Sequence, residues 1–314
     1  MFEKIRNLIE QSDVIILHRH NRPDGDAMGS QIGMKHLLKT NYPEKTVYAV
    51  GDDPRFFGFM EDSQMDEIPD STYENALAIV LDCGGAGMVC DDRYTLAPRT
   101  VRIDHHIFGG QFCQEEAVDT SYESCCGMVA DMALESGWKL SPLAAQSLYT
   151  GMVTDSGRFR YDGTTARTHR LAAWLLEQGF DTNALYRELY ADSYESKKLK
   201  AQFTLKIRFT EHNVAYIYTT KEEMAQLDTD LFTVSRGMVN TMADMKGVNI
   251  WANMTETDGG VVCELRSNLH TICPIAIRYG GGGHAKACGC TVPDRETAMA
   301  LLADLDNLGG QAYE

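Results

Sequence analysis

The 314-residue chain carries 29 Lys and Arg against 45 Asp and Glu, a formal net charge of −16, with 44% hydrophobic residues, 27 glycines and 8 prolines. This composition excludes a disordered or fibrous chain, and the acidic balance opposes binding to long duplex nucleic acid, whose phosphates would be repelled. A small phosphorylated ligand stays open, and the length favours two domains.

Phe2–Gln11 reads as an amphipathic helix with Ile5, Leu8 and Ile9 on one face, and Val14–Leu17 as a strand. Helical patterns follow over Met28–Leu38, Gly127–Glu135, Pro142–Val153 and Thr168–Gln178, interleaved with the apolar runs Leu77–Leu81 and Val101–Ile103, which suit buried parallel strands. The alternation predicts an α/β domain, a doubly wound and mainly parallel sheet, with its active crevice at the carboxyl ends of the strands. The polar stretch Ala191–Gln202 predicts a linking helix. Beyond it, Val214–Thr219, Val248–Met254 and Val261–Arg266 read as strands, and Lys221–Leu227, Val239–Met245 and Glu296–Leu305 as helices, with Gly280–Gly283 and His284 as a glycine-rich loop. The expected organisation is a first domain over 1–190, a linking helix over 191–205 and a smaller α/β domain over 206–314.

No apolar run approaches the roughly 18 residues of a membrane span, and Met1–Asn7 leads into polar and acidic residues where a signal peptide needs apolar ones. A cytoplasmic protein without a membrane partner is expected. The nine cysteines include no Cys-x-x-Cys pair, so they read as reduced, mostly packed thiols, and not as a disulfide frame or a structural zinc site.

Four acidic or histidine-bearing segments fall at the ends of these elements. His20, Asp24 and Asp26 follow the first strand on a turn stiffened by Pro23 and opened by Gly25, so three ligand side chains can converge on one side. Asp82 ends one apolar run, and Asp104-His105-His106 ends another. Two adjacent histidines point in different directions, so one can bind metal and the other meet substrate, with Asp104 fixing a ring by a hydrogen bond. Asp155 follows a predicted helix. Singly, each reads as an ordinary turn or cap. Together they form a carboxylate and imidazole set without thiolate, suited to manganese or magnesium.

This ordered set, followed by Arg266-Ser267 and Gly281-Gly282-Gly283-His284, resembles the DHH phosphoesterase superfamily with its DHHA1 domain, over nearly the whole chain. A chain of this length resembles the nano-RNase and 3′-phosphoadenosine-5′-phosphate phosphatase group. RecJ-type members carry extra domains, and family II pyrophosphatases lack the Gly-Gly-Gly-His segment. The resemblance implies two divalent ions, Mn2+ foremost with Mg2+ or Co2+ as alternatives. One would be held by His20, Asp24 and Asp82, the other by Asp26, Asp82, His105 and Asp155, with Asp82 bridging. The implied chemistry is attack on phosphorus by a two-metal-activated hydroxide, with His106 contacting the phosphoryl group or leaving oxygen and Asp104 orienting a histidine. Arg266, Ser267, Gly281, Gly282, Gly283 and His284 would bind substrate through backbone and side-chain donors. His18 is a packing or supporting residue, since only His20 has the family spacing to Asp24 and Asp26. Cys288 and Cys290 have no assigned role.

The expected partner is short single-stranded RNA or a nucleotide, with room for a homodimer. Two alternatives stay open: a linear or cyclic dinucleotide phosphodiesterase of the cyclic di-AMP type, and a catalytically silent nucleotide-binding regulator.

Overall fold

The computed structural model describes residues 1–107 and 109–311; the last residues of the expected second domain, 312–314, lie outside them. The chain divides into two compact units, Met1–Ala191 and Asp192–Glu314.

The first unit runs α1 (Glu3–Glu10), β1 (Val14–His18), α2 (Gly25–Asn41), β2 (Thr46–Ala49), β3 (Ala76–Leu81), β4 (Arg99–Asp104), β5 (Glu115–Val118), α3 (Cys125–Glu135), α4 (Pro142–Asp155), α5 (Ala166–Leu176) and α6 (Thr182–Tyr190). The five strands form a wholly parallel sheet in the order β2-β1-β3-β4-β5. The chain places β2 on one side of β1 and then crosses to β3 on the other, so the strand order reverses at β1. In open α/β sheets a ligand crevice opens at such a reversal, outside the carboxyl ends of the strands.

The alternating strand side chains feed two cores. Ile15, Leu17, Leu77, Ile79, Val101 and Ile103 face the α-helices, while Ile16, Ala78 and Val80 face Tyr73 and Tyr94, carried on short 3-10 turns. Two strands of this unit escaped the periodicity reading, as did α6. β2 and β5 have four residues each, and β5 carries two glutamates, too little apolar alternation to mark a strand.

The contact between α2 and α4 rests on small residues. Gly25, Gly29 and Gly33 recur every fourth residue and so share one face of α2. A Cβ at Gly29 would lie 2.4 Å from the Ser147 carbonyl oxygen, one at Gly33 2.6 Å from the Leu148 side chain, and one at Gly25 2.3 Å from the Thr154 hydroxyl. From the other side, a Cβ at Gly151 would lie 2.7 Å from an Asp26 carboxylate oxygen. The two helices therefore approach at backbone distance, and the approach brings Asp155, the last residue of α4, to the start of α2.

The second unit runs α7 (Tyr194–Leu205), β6 (Arg208–Phe209), β7 (Ala215–Thr219), α8 (Lys221–Ala225), β8 (Ile250–Thr257), β9 (Gly260–Ser267), α9 (Cys273–Arg278), β10 (Gly282–His284), β11 (Ala287–Val292) and α10 (Arg295–Gly309). Its mixed sheet has the order β10-β11-β9-β8-β7-β6, with only β7 and β8 parallel. The helix expected as a linker is α7, which packs Phe203 and Leu199 with Ala215, Ile217 and Val234 of this unit. The helix expected over Val239–Met245 is only a 3-10 turn, Val239–Met242, because one turn suffices to bury Val239 and Met242.

Replacing Gly29 by Val is expected to cost about 1–3 kcal/mol through overpacking against α4, read as a lower urea midpoint at unchanged slope. Gly87→Ala, where a Cβ meets nothing within 4 Å, should leave the midpoint in place. Equal midpoints for Gly29→Val and the unchanged chain would contradict the close-packed α2–α4 contact.

Candidate metal centre

His20 stands two residues past β1. Its Nδ1 lies 2.7 Å from the Asn21 carbonyl oxygen, which can only accept, so Nδ1 carries the proton and Nε2 is left to bind a cation. That Nε2 lies 3.6 Å from Asp24 Oδ1 and 3.4 Å from Asp82 Oδ2. The loop is braced from beneath by Arg19, which is fully buried. Its guanidinium donates to the His20 carbonyl at 3.1 Å, to the Asp52 carbonyl at 2.6 Å and to the Asp52 carboxylate. Asp52 in turn accepts from the Arg22 amide at 2.9 Å.

Asp24 caps α2, accepting from the Asp26 and Ala27 amides at 3.0 and 3.1 Å. Asp26, 1% exposed, accepts from the Cys125 and Cys126 amides at 2.6 and 2.8 Å. Those amides open α3, so the positive end of the helix dipole faces the carboxylate and pins it. Asp82 directly follows β3 with φ +57°, a left-handed conformation that Asp adopts more readily than most residues. Its amide donates to the Ile103 carbonyl at 3.0 Å, which ties the turn to β4.

His105 repeats the His20 arrangement. Its Nδ1 faces the Tyr122 carbonyl at 3.4 Å, and its Nε2 lies 3.7 Å from Asp26, 3.6 Å from Asp82 and 3.4 Å from Asp155. His106 is turned differently: its Nδ1 sits 2.8 Å from Asp104 Oδ1 and 3.5 Å from Asp82 Oδ1. Asp104 is itself buried, with the buried Arg102 guanidinium 3.3 Å from its other oxygen. Asp104 thus links the His106 ring to the buried Arg102.

The described residues contain three overlapping groupings able to hold a cation: His20, Asp24 and Asp82; Asp26, His105 and Asp155; and Asp82, His105 and His106. Asp82 belongs to two of them and His105 to two. The donor set fits divalent ions for a further reason. Asp82 Oδ1 is buried without a hydrogen-bond partner, and an unmet buried acceptor costs about 1–3 kcal/mol or more when charged.

The electrostatics agree. Burial and the neighbouring Asp82 push the Asp26 carboxyl up to about 7. Burial, Asp26 and Asp82 push Asp155 well above the carboxylate range. Burial opposes protonation of His20, but Asp24 and Asp82 overcome it and raise the imidazole to about 11. A field that strongly favours protons also favours cations.

His18 lies apart from these groups. It is fully buried, its ring 5.8 Å from that of Tyr73 and 6.0 Å from that of Tyr94, and burial lowers its pKa to about 4.

In the second unit, the segment expected as a loop at Gly281–His284 is in part an edge strand. β10 pairs with β11 so that His284 stands opposite Ala287, and Ala287 opposite Arg266 on β9. Directly paired residues share a sheet face, so Arg266 and His284 belong to one row. A Cβ at Gly281 would lie 2.5 Å from Cys290 Cβ, and one at Gly283, which has φ +134°, 2.8 Å from Cys288 Cα. The glycines thus let β10 close over Cys288 and Cys290, the two cysteines without an assigned role. At Gly282 a Cβ would meet nothing within 4 Å. Arg266 is engaged by Glu264 at 3.1 Å and by the Leu265 carbonyl at 2.8 Å. The Ser267 hydroxyl accepts from the Leu269 and His270 amides at 3.2 and 2.8 Å, so it shapes the turn after β9.

Residues 14–152 match the model of the DHH family N-terminal domain, and residues 225–309 that of the DHHA1 domain. A Bacillus subtilis protein named bifunctional oligoribonuclease and PAP phosphatase NrnA is 34% identical over 299 residues, covering 94% of this chain and 95% of its own.

The chain belongs to the DHH family.

A probable bifunctional oligoribonuclease and PAP phosphatase NrnA from Streptococcus mutans is also 34% identical, covering 98% of both chains. Among solved structures, an exopolyphosphatase-related protein from Bacteroides fragilis superposes with a TM-score of 0.88 at 26% identity, covering 99% of this chain and 97% of that one. In this DHH chain, sequence reasoning missed Arg19, Arg102 and the Cys125 and Cys126 amides. Arg102 carried one signal, its place two residues before Asp104 on the same face of β4. The amides carried another, since Ser124 is the N-cap of α3.

Asp82→Asn keeps the shape and tolerates the left-handed backbone while removing the charge. The metal-stripped variant should melt above the metal-stripped parent. Mn2+ at about a hundredfold over its dissociation constant should stabilise the parent by about 2.7 kcal/mol, roughly 5–10 °C, and the variant far less. An equal Mn2+ shift in both would contradict the role of Asp82.

Proposed function

We propose that the chain is a cytoplasmic, divalent-metal-dependent phosphoesterase that hydrolyses short oligoribonucleotides and the 3′-phosphate of 3′-phosphoadenosine-5′-phosphate, with Mn2+ as the foremost ion and Mg2+ or Co2+ as alternatives. What carries this reading is the convergence of His20, Asp24, Asp26, Asp82, His105 and Asp155 in a chain that aligns over more than nine-tenths of its length with proteins bearing those two activities in their names. No helix of the described residues is long and apolar enough to cross a membrane.

His20, Asp24 and Asp82 would hold one ion, and Asp26, Asp82, His105 and Asp155 the other. When bound, the ions supply Lewis acidity: they lower the pKa of a water and offset charge on the phosphoryl oxygens. The protein's part is to hold this geometry. The Asn21 and Tyr122 carbonyls keep Nε2 of His20 and His105 turned toward the carboxylates, and the α3 amides keep Asp26 in place. Burial opposes protonation of His106, but Asp104 and Asp82 raise its pKa. With Nδ1 directed at Asp104, its Nε2–H is the donor for a phosphoryl or leaving oxygen.

In the second unit, Gly282 offers backbone unshielded by any side chain, beside the Arg266–His284 row. That row is the candidate reader of a substrate phosphate. Short single-stranded RNA or a nucleotide is the partner.

Mn2+-loaded protein offered 3′-phosphoadenosine-5′-phosphate, RNA of two to five nucleotides and cyclic di-AMP side by side should turn over the first two faster than the third. His105→Ala should lower both main activities about a hundredfold or more while the far-ultraviolet circular dichroism is kept. Faster turnover of cyclic di-AMP would reassign the chain to the dinucleotide phosphodiesterases. No turnover of any, with metal bound, would make it a nucleotide-binding regulator.

A further inference from the structure

The segment leaving the metal centre is strained. α4 ends at Asp155, and three residues later Arg158 and Phe159 both hold φ +63°, a conformation bulky residues rarely adopt and one that clusters at functional sites. Hydrogen bonds hold the turn: the Arg158 amide donates to the Val153 carbonyl at 2.8 Å and the Phe159 amide to the Ser156 hydroxyl at 2.8 Å. The Arg160 and Tyr161 amides both donate to the Ser156 carbonyl at 3.0 Å. The Phe159 ring anchors it, 5.9 Å from the Tyr149 ring and 5.5 Å from that of His169. Arg158 is left exposed, with its guanidinium 4.8 Å from the centre of the Tyr190 ring.

Tyr190 stands on α6, its ring 5.7 Å from that of Tyr186, which is itself partly packed against the core. Leu185 and Leu189 are buried in the core. Asn183, Tyr186, Arg187 and Tyr190 fall at i, i+3, i+4 and i+7 and share one face, where with Ala191 they line an open concavity of about 440 Å³. Small-ligand sites span roughly 300–1,000 Å³. Residues 157–170 hold Arg158, Arg160, Arg167 and Arg170 against the single carboxylate of Asp162, in a chain of net charge −16. Neither Arg158 nor Arg187 has a carboxylate partner among the described residues. A stacked guanidinium and phenol beside a second arginine is the chemistry that takes an unpaired base and its phosphate.

We propose that Arg158 and Tyr190, with Arg187 and Asn183, form a subsite for a nucleotide one to three positions from the scissile phosphate of an oligoribonucleotide. Arg158 is within reach: three residues from Asp155 span at most about 11 Å, about three stacked nucleotides at roughly 3.4 Å each. The base stacks against Arg158 and Tyr190, and Arg187 meets a backbone phosphate. A nucleoside bisphosphate has no second base to place there, so the subsite favours longer substrates over 3′-phosphoadenosine-5′-phosphate. The inference rests on the reading that short RNA is a substrate, and it names the residues that measure RNA length.

The test uses the full chain with Ca2+ in place of Mn2+, and fluorescein-labelled pentaribonucleotide binding read by anisotropy, with unlabelled 3′-phosphoadenosine-5′-phosphate as competitor. Arg158→Asn tolerates the left-handed backbone, and Tyr190→Leu keeps apolar bulk. Each should weaken pentanucleotide binding about tenfold or more relative to the competitor, and Tyr190→Phe should restore the parent value. With Mn2+, the same two variants should raise KM for the pentanucleotide and leave kcat nearly unchanged. An unchanged ratio of RNA to competitor affinity in both variants overturns the subsite, as does an equal loss for both ligands. A parent that binds the pentanucleotide but cleaves neither substrate refutes the phosphoesterase reading, while the subsite is still decided by the binding ratio.

Discussion

Four carboxylates, those of Asp24, Asp26, Asp82 and Asp155, meet two imidazoles at one point of this protein, and like charges so placed repel strongly wherever water is scarce. Asp26 and Asp82 are each 1% exposed, so solvent does little to relieve them. Such a cluster persists only if the surrounding fold holds it and a counter-charge completes it. Much of the first unit serves one of these two needs.

The holding is done by backbone more than by side chains. The sheet reverses its strand order at β1, which leaves the loops carrying His20 and Asp82 side by side at the carboxyl ends of β1 and β3. The first-turn amides of α3 grip Asp26, and the glycine face of α2 lets α4 come close enough to deliver Asp155. Behind this lie two buried arginines. Arg19 ties the His20 loop to Asp52, and Arg102 backs Asp104, which aims His106. Each arginine is itself paired, which limits the cost of burying its charge.

The six candidate ligand residues stand out in the sequence by their chemistry: carboxylates and imidazoles placed where apolar runs stop, and the fold brings them together. Most of the longer strands and helices were legible from period, while the six-residue β11 and the nine-residue α6 were not. What supports the ligands was not. A backbone amide leaves no residue-type signature, so nothing in Cys125 or Cys126 announces that their N–H groups hold Asp26. Arg19 and Arg102 look like surface charges until the sheet buries them. The glycine segment at Gly281–His284 suggests a loop, since glycine weakens strands. Its glycines are explained by tertiary contact, because β10 crosses Cys288 and Cys290 too closely for any side chain.

The net charge of −16 therefore has two parts with different meanings. Some of it is gathered into a cage whose donor set fits divalent ions, and the rest is spread over the chain, while arginines gather in the turn just past Asp155. The central claim is that the cage is built for cations and that Asp82 stands between two of them. The direct measurement is a crystal structure of Mn2+-soaked protein with data collected at the manganese absorption edge. Two anomalous peaks sharing Asp82, one beside His20 and one beside His105, are the predicted result. A single peak, or none with the carboxylates in these positions, would contradict it.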